Sequence, residues 1–216
     1  MTRQYWKPAN LLNPVPAVLI SCCDEEGKPN VMTAAWAGTV CSDPVMVSVS
    51  IRKNRYSHDL IEKSGEFVMN LTSADMVRAV DYAGIYSGAK VDKFDLPGRL
   101  HMTAEPSHVV KAPCVAESPV CLECKVRQIL ELGSHDMFIG EVVSTDVDDR
   151  LLDENGRLDL SRANLIAYCH GEYRTLGKKI GKFGFTSLKE EKKNNLKEKR
   201  TDRSYKGRKK SRNHTK

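Results

Sequence analysis

Apolar positions recur with a two-residue period through much of the first 150 residues, and elsewhere they run on as short apolar blocks. Such segments stand at 17–23 (AVLISCC), 30–40 (NVMTAAWAGTV), 45–51 (VMVSVSI), 66–71 (EFVMNL), 121–132 (CLECKVRQILEL) and 137–148 (MFIGEVVSTDVD), with a shorter one at 164–169 (NLIAYC). Their length and β-branched content predict strands. Turn chemistry separates the first three, DEEGKP at 24–29 and SDP at 42–44, so they read as successive hairpins in a meander. A helical period shows in two places: 57–65 opens on Ser57 as a cap and stops at Gly65, and 72–84 puts Met76, Val77, Val80 and Ala83 on one face. The stretch DVDDRLLDENGRLDL at 146–160 reads as an extension closing in an Asn-Gly turn. Seven or so evenly spaced strands, antiparallel connections and few helices predict a mainly β fold, a closed β-barrel with a few peripheral helices. Closure removes the edges that a long meander would otherwise expose.

One segment fits its strand badly. TAAWAG, residues 33–38, gives five of six positions to Thr, Ala and Gly, and Ala and Gly are poor strand formers that give a core little to pack. Small residues suit a tight barrel bend. They equally suit a place where a ligand lies close to the backbone.

Composition narrows the setting. A 216-residue chain with 40% hydrophobic and 29% charged residues is ordinary for a globular protein with a sizeable core. Its longest apolar runs fall far short of the ~20 residues that span a bilayer, and the first residues lack a signal-like apolar region. A cytoplasmic protein with no membrane partner is therefore expected. Seven cysteines, mostly in apolar strand-like segments, suggest reduced core residues and no disulfide framework. The net charge of +6 is unevenly divided: residues 189–216 carry +9 and residues 1–188 carry −3. This divides the chain into a folded domain at 1–188 and a basic tail at 189–216, too poor in apolar residues to order itself, with at most weak nucleic-acid affinity.

The strand at 45–57 carries the candidate chemistry. Val45, Val47, Val49 and Ile51 alternate with Met46, Ser48, Ser50 and Arg52, so one face is core and the other a polar track ending in Arg52, Lys53 and Arg55, flanked by Ser50 and Ser57. Guanidinium forks, hydroxyls and helix amides in one short segment suit a phosphate monoester. A hairpin would set this track beside the small residues at 33–36. A planar ring system with a polar edge and a phosphate tail, such as FMN, fits both halves.

These residues carry a resemblance. The stretch from Asn13 to Leu71 resembles the N-terminal half of the flavin reductase-like FMN-binding family of flavoredoxin type. GIYSGAKVDKF (84–94), LECKV (122–126) and GSHDMFIGEV (133–142) resemble that family's later motifs in the same order, covering roughly residues 5–185. The resemblance implies an FMN-binding split β-barrel of six strands, a homodimer, and FMN held near the subunit interface. It places the flavin ring against Thr33, Ala34, Ala35 and Trp36, and the ribityl and phosphate near Ser50, Ile51, Arg52, Arg55 and Ser57. Tyr86, Ser87, Gly88 and Lys90 would come from a loop over the cofactor, and His135 would lie near the hydride-accepting side of the ring. A histidine beside a Gly-Ser turn is more often a hydrogen-bonded turn residue than a proton donor. The activity implied is hydride or electron transfer through FMN, with NAD(P)H as a possible reductant. The alternatives are a flavoredoxin-like carrier reduced by a protein partner and, more remotely, a nucleic-acid-binding module that uses the basic tail.

Other motifs fall away on geometry. In CLEC, Cys121 and Cys124 point to opposite faces of their strand, so they cannot share one metal, and no metal site is expected. GEYRTLGKK at 171–179 has five residues between its glycines where a P-loop needs four. GKKIGKFGF at 177–185 lacks the dinucleotide-binding spacing.

Overall fold

The computed structural model describes residues 1–95 and 102–186. The chain divides into two units, Met1–Leu176 and Gly177–Lys216. In the second, the described residues hold a turn in which the Phe185 N–H donates to the Lys182 carbonyl at 2.9 Å. The tail expected at 189–216 lies outside the described residues. All that follows concerns the first unit.

Its elements are β1 (Val15–Pro16), β2 (Val18–Cys23), β3 (Pro29–Ala34), β4 (Ala37–Ser42), β5 (Val45–Arg52), α1 (Tyr56–Ser64), β6 (Glu66–Leu71), α2 (Val77–Ile85), β7 (Ala104–Glu105), β8 (Cys114–Val115), β9 (Val120–Glu131), β10 (His135–Val147), β11 (Ile166–Cys169) and β12 (Glu172–Thr175). Seven strands form one antiparallel sheet in the order β3-β2-β6-β9-β10-β5-β4. Consecutive strands β3 and β4 thus sit at its opposite edges, joined by Ala35 and Trp36 alone. Laid flat, the sheet would be six spacings wide, about 29 Å. The three Cα steps from Ala34 to Ala37 reach at most about 11 Å. The sheet therefore has to curl until its edges meet, and the Ser50 N–H donating to the Trp36 carbonyl at 2.9 Å carries the β4–β5 pairing into the corner.

The run at 30–40 is thus two strands broken at a corner, which corrects the single strand expected there. Both expected hairpins stand, β2 with β3 and β4 with β5, while β3 and β4 do not pair with each other. Counted as one bent strand, β3 and β4 leave the six that the resemblance implied. The alternation in β5 holds for Val47, Val49 and Ile51, all buried; Val45, at the hairpin end, is exposed.

The barrel interior is filled by Val18, Ile20, Met32, Val49, Ile51, Phe67 and Phe138, with Leu60 and Ile61 of α1 capping one end. A second cluster packs α2, through Ala79, Val80 and Ala83, against the outer faces of Leu19 and Val31. The helix expected at 72–84 begins instead with a 3-10 turn at Ala74–Met76. Ser57 does not cap α1: Arg55 holds that position without a side-chain cap, and Gly65 ends the helix at φ +68°. The left-handed conformation there is one a residue with a Cβ adopts at a cost. Among the described residues no helix is long and apolar enough to cross a membrane.

Candidate functional site

The corner at Ala35–Trp36 opens a cavity of about 200 Å³. Thr33, Ala34, Ala35 and Trp36 form one wall, Ser50, Ile51 and Arg52 the next, and Arg55 and His135 complete it. β10 is antiparallel to β5, setting His135 opposite Arg52 and Met137 opposite Ser50, which carries the GSHD turn to the end of the polar track. The Trp36 indole lies across the His135 ring at 4.5 Å between centroids. His135 Nδ1 is 2.9 Å from Ser134 Oγ, the turn interaction expected of it. Burial first, and the facing Arg52 cation second, push the His135 pKa below the ordinary imidazole value and favour its neutral form.

The cations divide. Arg52 and Arg55 are exposed at the cavity, and Arg55 Nη1 donates to the Gly84 carbonyl at 3.2 Å, fixing it against the end of α2. Lys53 turns away, 2.9 Å from Glu131 and 3.4 Å from Asp136. The positive charge at the cavity mouth therefore comes from two guanidiniums rather than the three cations counted in the sequence.

Ser57 and the loop at 86–90 do not line this cavity. Ser57 is buried, and its Oγ accepts from Asn30 Nδ2 at 2.7 Å. Tyr86 ends α2 and stacks on Tyr82, with 4.3 Å between centroids. Ser87 accepts from the Lys90 N–H at 3.0 Å to close the next turn, leaving the Lys90 side chain exposed. A Cβ on Gly88 would stand 1.8 Å from Asn30 Oδ1 and 3.1 Å from the Tyr56 ring, so the glycine is what lets this loop lie against the start of α1. The loop thus sits beside the arginine end of the cavity.

Three features of the site had no clear sequence signal. A larger cavity of about 950 Å³ shares Ala35, Trp36 and Ser50 with the first and is closed by Trp6, Leu11, Leu12, Tyr168 and His170. Its far wall reaches the site through pairing of β1 with β11. Beneath the site His58 Nε2 lies 2.8 Å from Asp136 Oδ2, both buried. Burial works against the Asp136 charge, but the His58 and Lys53 contacts outweigh it and hold that carboxyl below the usual range. Lys93 is 4% exposed and donates to the carbonyls of Val31 at 2.7 Å and Ala83 at 2.9 Å, tying β3 to α2. Burial, then Arg55, pushes its pKa down to about 8.

Chemically the site offers a backbone wall under short side chains, two rings in tilted contact and two guanidiniums with no ion-pair partner among the described residues. That arrangement takes a flat molecule with an anionic tail. A family model described as flavin reductase like domain matches residues 12–177. A protein of Archaeoglobus fulgidus is 37% identical over 134 residues, covering 62% of this chain and 73% of the relative. Flavoredoxin of Desulfovibrio vulgaris (Miyazaki F) is 35% identical and superposes with a TM-score of 0.77, over 84% of this chain and 97% of the other. An FMN-binding protein from Thermus thermophilus, with bound 1-cyclohex-2-enone, is 25% identical with a TM-score of 0.71, over 84% of this chain and 99% of the other.

Proposed function

The chain belongs to the flavin reductase like family, and from that premise we propose that it binds FMN at the Ala35–Trp36 corner and serves as an oxidoreductase. The observation that carries this reading is the convergence on one cavity of the short-side-chain wall at 33–36 and the exposed pair Arg52 and Arg55. The residues present fit the group. Ala34, Ala35 and Ser50 are short enough for a flat ring to approach the backbone, and the two guanidiniums match a phosphate monoester. When bound, FMN supplies hydride and electron transfer. The protein's part is to hold the ring edge with main-chain groups at 33–36, anchor the phosphate through Arg52 and Arg55, and set Trp36 and His135 at the rim. The adjoining 950 Å³ cavity, walled by Trp6, Leu11, Leu12 and Tyr168, leaves room beside the ring for a donor or acceptor of largely apolar character.

The purified protein is expected to be yellow and to release one FMN per chain on heating. A colourless protein that takes up no added FMN would overturn the reading. Similarity to a flavoredoxin favours a second reading of the same site, as an electron carrier reduced by a protein partner. Anaerobic NADH or NADPH separates the two: bleaching of the flavin bands within seconds marks a pyridine-nucleotide-dependent reductase, and persistent colour marks the carrier.

A second copy of the chain is the partner we propose. Trp36 just before the edge strand β4, Val40 within it and Val45 at the start of β5 are exposed, and Trp6, Leu11 and Leu12 stand exposed across the adjoining cavity. An apolar edge of this kind is a liability unless it is covered. Light scattering is expected to give twice the chain mass, and Val40→Lys with Val45→Lys to give the mass of one chain. A wild-type monomer at tens of micromolar would sink the dimer.

A further inference from the structure

Both arginines of the cavity mouth stand on one β-turn. The Arg55 N–H donates to the Arg52 carbonyl at 2.9 Å, which makes them the first and last residues of the turn, and the His58 N–H donates to the Arg55 carbonyl at 2.8 Å as α1 begins. A surface turn of this kind is soft unless something outside it fixes it. The outside support is a buried acid. Asp136, the second residue of β10, is 3% exposed and is the cross-strand partner of Ile51. Its Oδ2 lies 2.8 Å from His58 Nε2, and Lys53 Nζ stands 3.4 Å from its Oδ1. Lys53 follows Arg52 inside the turn, and His58 stands in the first turn of α1, so one carboxylate grips the chain on both sides of Arg55.

Stability alone does not account for an acid at this place. Asp136 Oδ1 is buried and accepts no hydrogen bond among the described residues, so the carboxylate is less than fully satisfied. Such a group is costly, and an apolar residue of similar size in place of a buried ionic group is often neutral or better for stability. The surroundings would suit one: the His58 ring meets the Phe138 ring edge-on, with 5.2 Å between centroids. What an apolar side chain cannot do is hold a lysine from the turn and a histidine from the helix at set places. Both arms are steadied further, Lys53 by Glu131 at 2.9 Å and His58 Nδ1 by Asp59 Oδ1 at 3.3 Å. Burial opposes the Asp136 charge, and the His58 and Lys53 contacts overcome it.

We propose that Asp136 is a positioning residue for the phosphate anchor: through Lys53 and His58 its carboxylate holds the turn so that the Arg52 and Arg55 guanidiniums face the cavity before a phosphate arrives. This role rests on the reading of the cavity as an FMN site anchored by the two arginines. Guanidiniums set in place beforehand lose less freedom on binding, and the difference appears as affinity. Only the phosphate end of the ligand feels it, because the ring wall at 33–36 belongs to β3 and its corner rather than to the turn. The sign of the effect separates this role from plain charge. A carboxylate acting through its charge alone repels a phosphate, so its removal would tighten FMN, whereas the loss of a positioning residue weakens it.

The test is fluorescence titration of the full-length apoprotein with FMN and with riboflavin, for the wild type and Asp136→Asn, each with and without Arg52→Ala and Arg55→Ala together. Asp136→Asn is expected to weaken FMN about tenfold and to leave riboflavin within about threefold. With both arginines already replaced, the same substitution should change FMN affinity by less than about twofold, since no guanidinium is left to aim. FMN affinity that is unchanged or tighter in the folded Asp136→Asn variant overturns the role. So do equal losses for the two ligands, or a loss that persists without the arginines. Should Asp136→Asn fail to fold, Lys53→Met removes one arm at a half-exposed side chain. It should then weaken FMN about threefold, again only while the arginines are present, and any other result counts against the role. Wild-type protein that takes no FMN overturns the proposed function and this role together, whereas FMN binding by the wild type with no such loss in the variants removes this role alone.

Discussion

Alanine at both Arg52 and Arg55 is expected to weaken FMN binding by about a hundredfold while the fold is kept. Each guanidinium is exposed at the mouth of the corner cavity, and neither is neutralised by the acids that hold Lys53. A charge-assisted contact to a phosphate is worth ~1.5–3 kcal/mol. Because both groups face solvent, the lower end of that range applies, and two such contacts come to about 3 kcal/mol, or about two decades in Kd. Little structure depends on them. Arg52 ends β5, and the side-chain bond Arg55 makes to the protein is the 3.2 Å contact with the Gly84 carbonyl. Fluorescence quenching on titration of the apoprotein with FMN measures the affinity, and riboflavin provides the internal control. The substitutions should leave riboflavin binding within about threefold, since riboflavin has the ring and ribityl chain but no phosphate. Equal losses for both ligands would show that the arginines hold the ring or shape the corner. An unchanged FMN affinity in the folded double variant would end the phosphate assignment.

What the sequence disclosed and what it hid follow from the range of the interactions involved. β6 was read with its residue limits intact at 66–71, because its boundaries are written locally: a Gly turn before it and a Thr-Ser break after it. The run at 30–40 was misread as one strand because Ala35 and Trp36 break it without a Gly or Pro, and their reason for bending lies in the other edge of the sheet. Short side chains at TAAWAG were legible as a signal of close approach. They serve the corner itself, where the Trp36 carbonyl meets the Ser50 N–H, and the same corner makes the cavity. Pairings of distant residues were not legible. His58 and Asp136 are 78 positions apart, and Cys121 faces Asp146 only once β9 and β10 are registered with their bulges in place. Lys93 lies inside the quoted GAKVDKF motif, yet a lysine in a loop segment carries no mark that it is destined for burial.

The largest stability effect should come from Phe67, and its partner in the strand opposite gives the sharper test. Phe67 is fully buried in the barrel interior, and a Cβ built on Gly140 of β10 would stand 2.7 Å from its Cζ and 2.8 Å from its Cε1. Gly140 is therefore glycine because the Phe67 ring already occupies the space its side chain would need; its backbone demands nothing unusual. Phe67→Ala is expected to cost about 3–5 kcal/mol, from lost apolar burial and the cavity left behind. For a domain of this size that lowers the melting midpoint by about 10 °C. Gly140→Ala alone should cost about 1–3 kcal/mol by overpacking, since Cys124 Cβ, 3.0 Å away, closes the other side and the ring has nowhere to retreat. In the double variant the methyl at 140 enters the space the ring has left, so the two losses must add to less than their sum, with a coupling of 1 kcal/mol or more. Denaturant unfolding of the four proteins closes that cycle. Simple additivity would mean that the ring and the glycine do not meet, and that Gly140 answers instead to the bulge beside it, between Ile139 and Gly140, where β10 shifts register against β9.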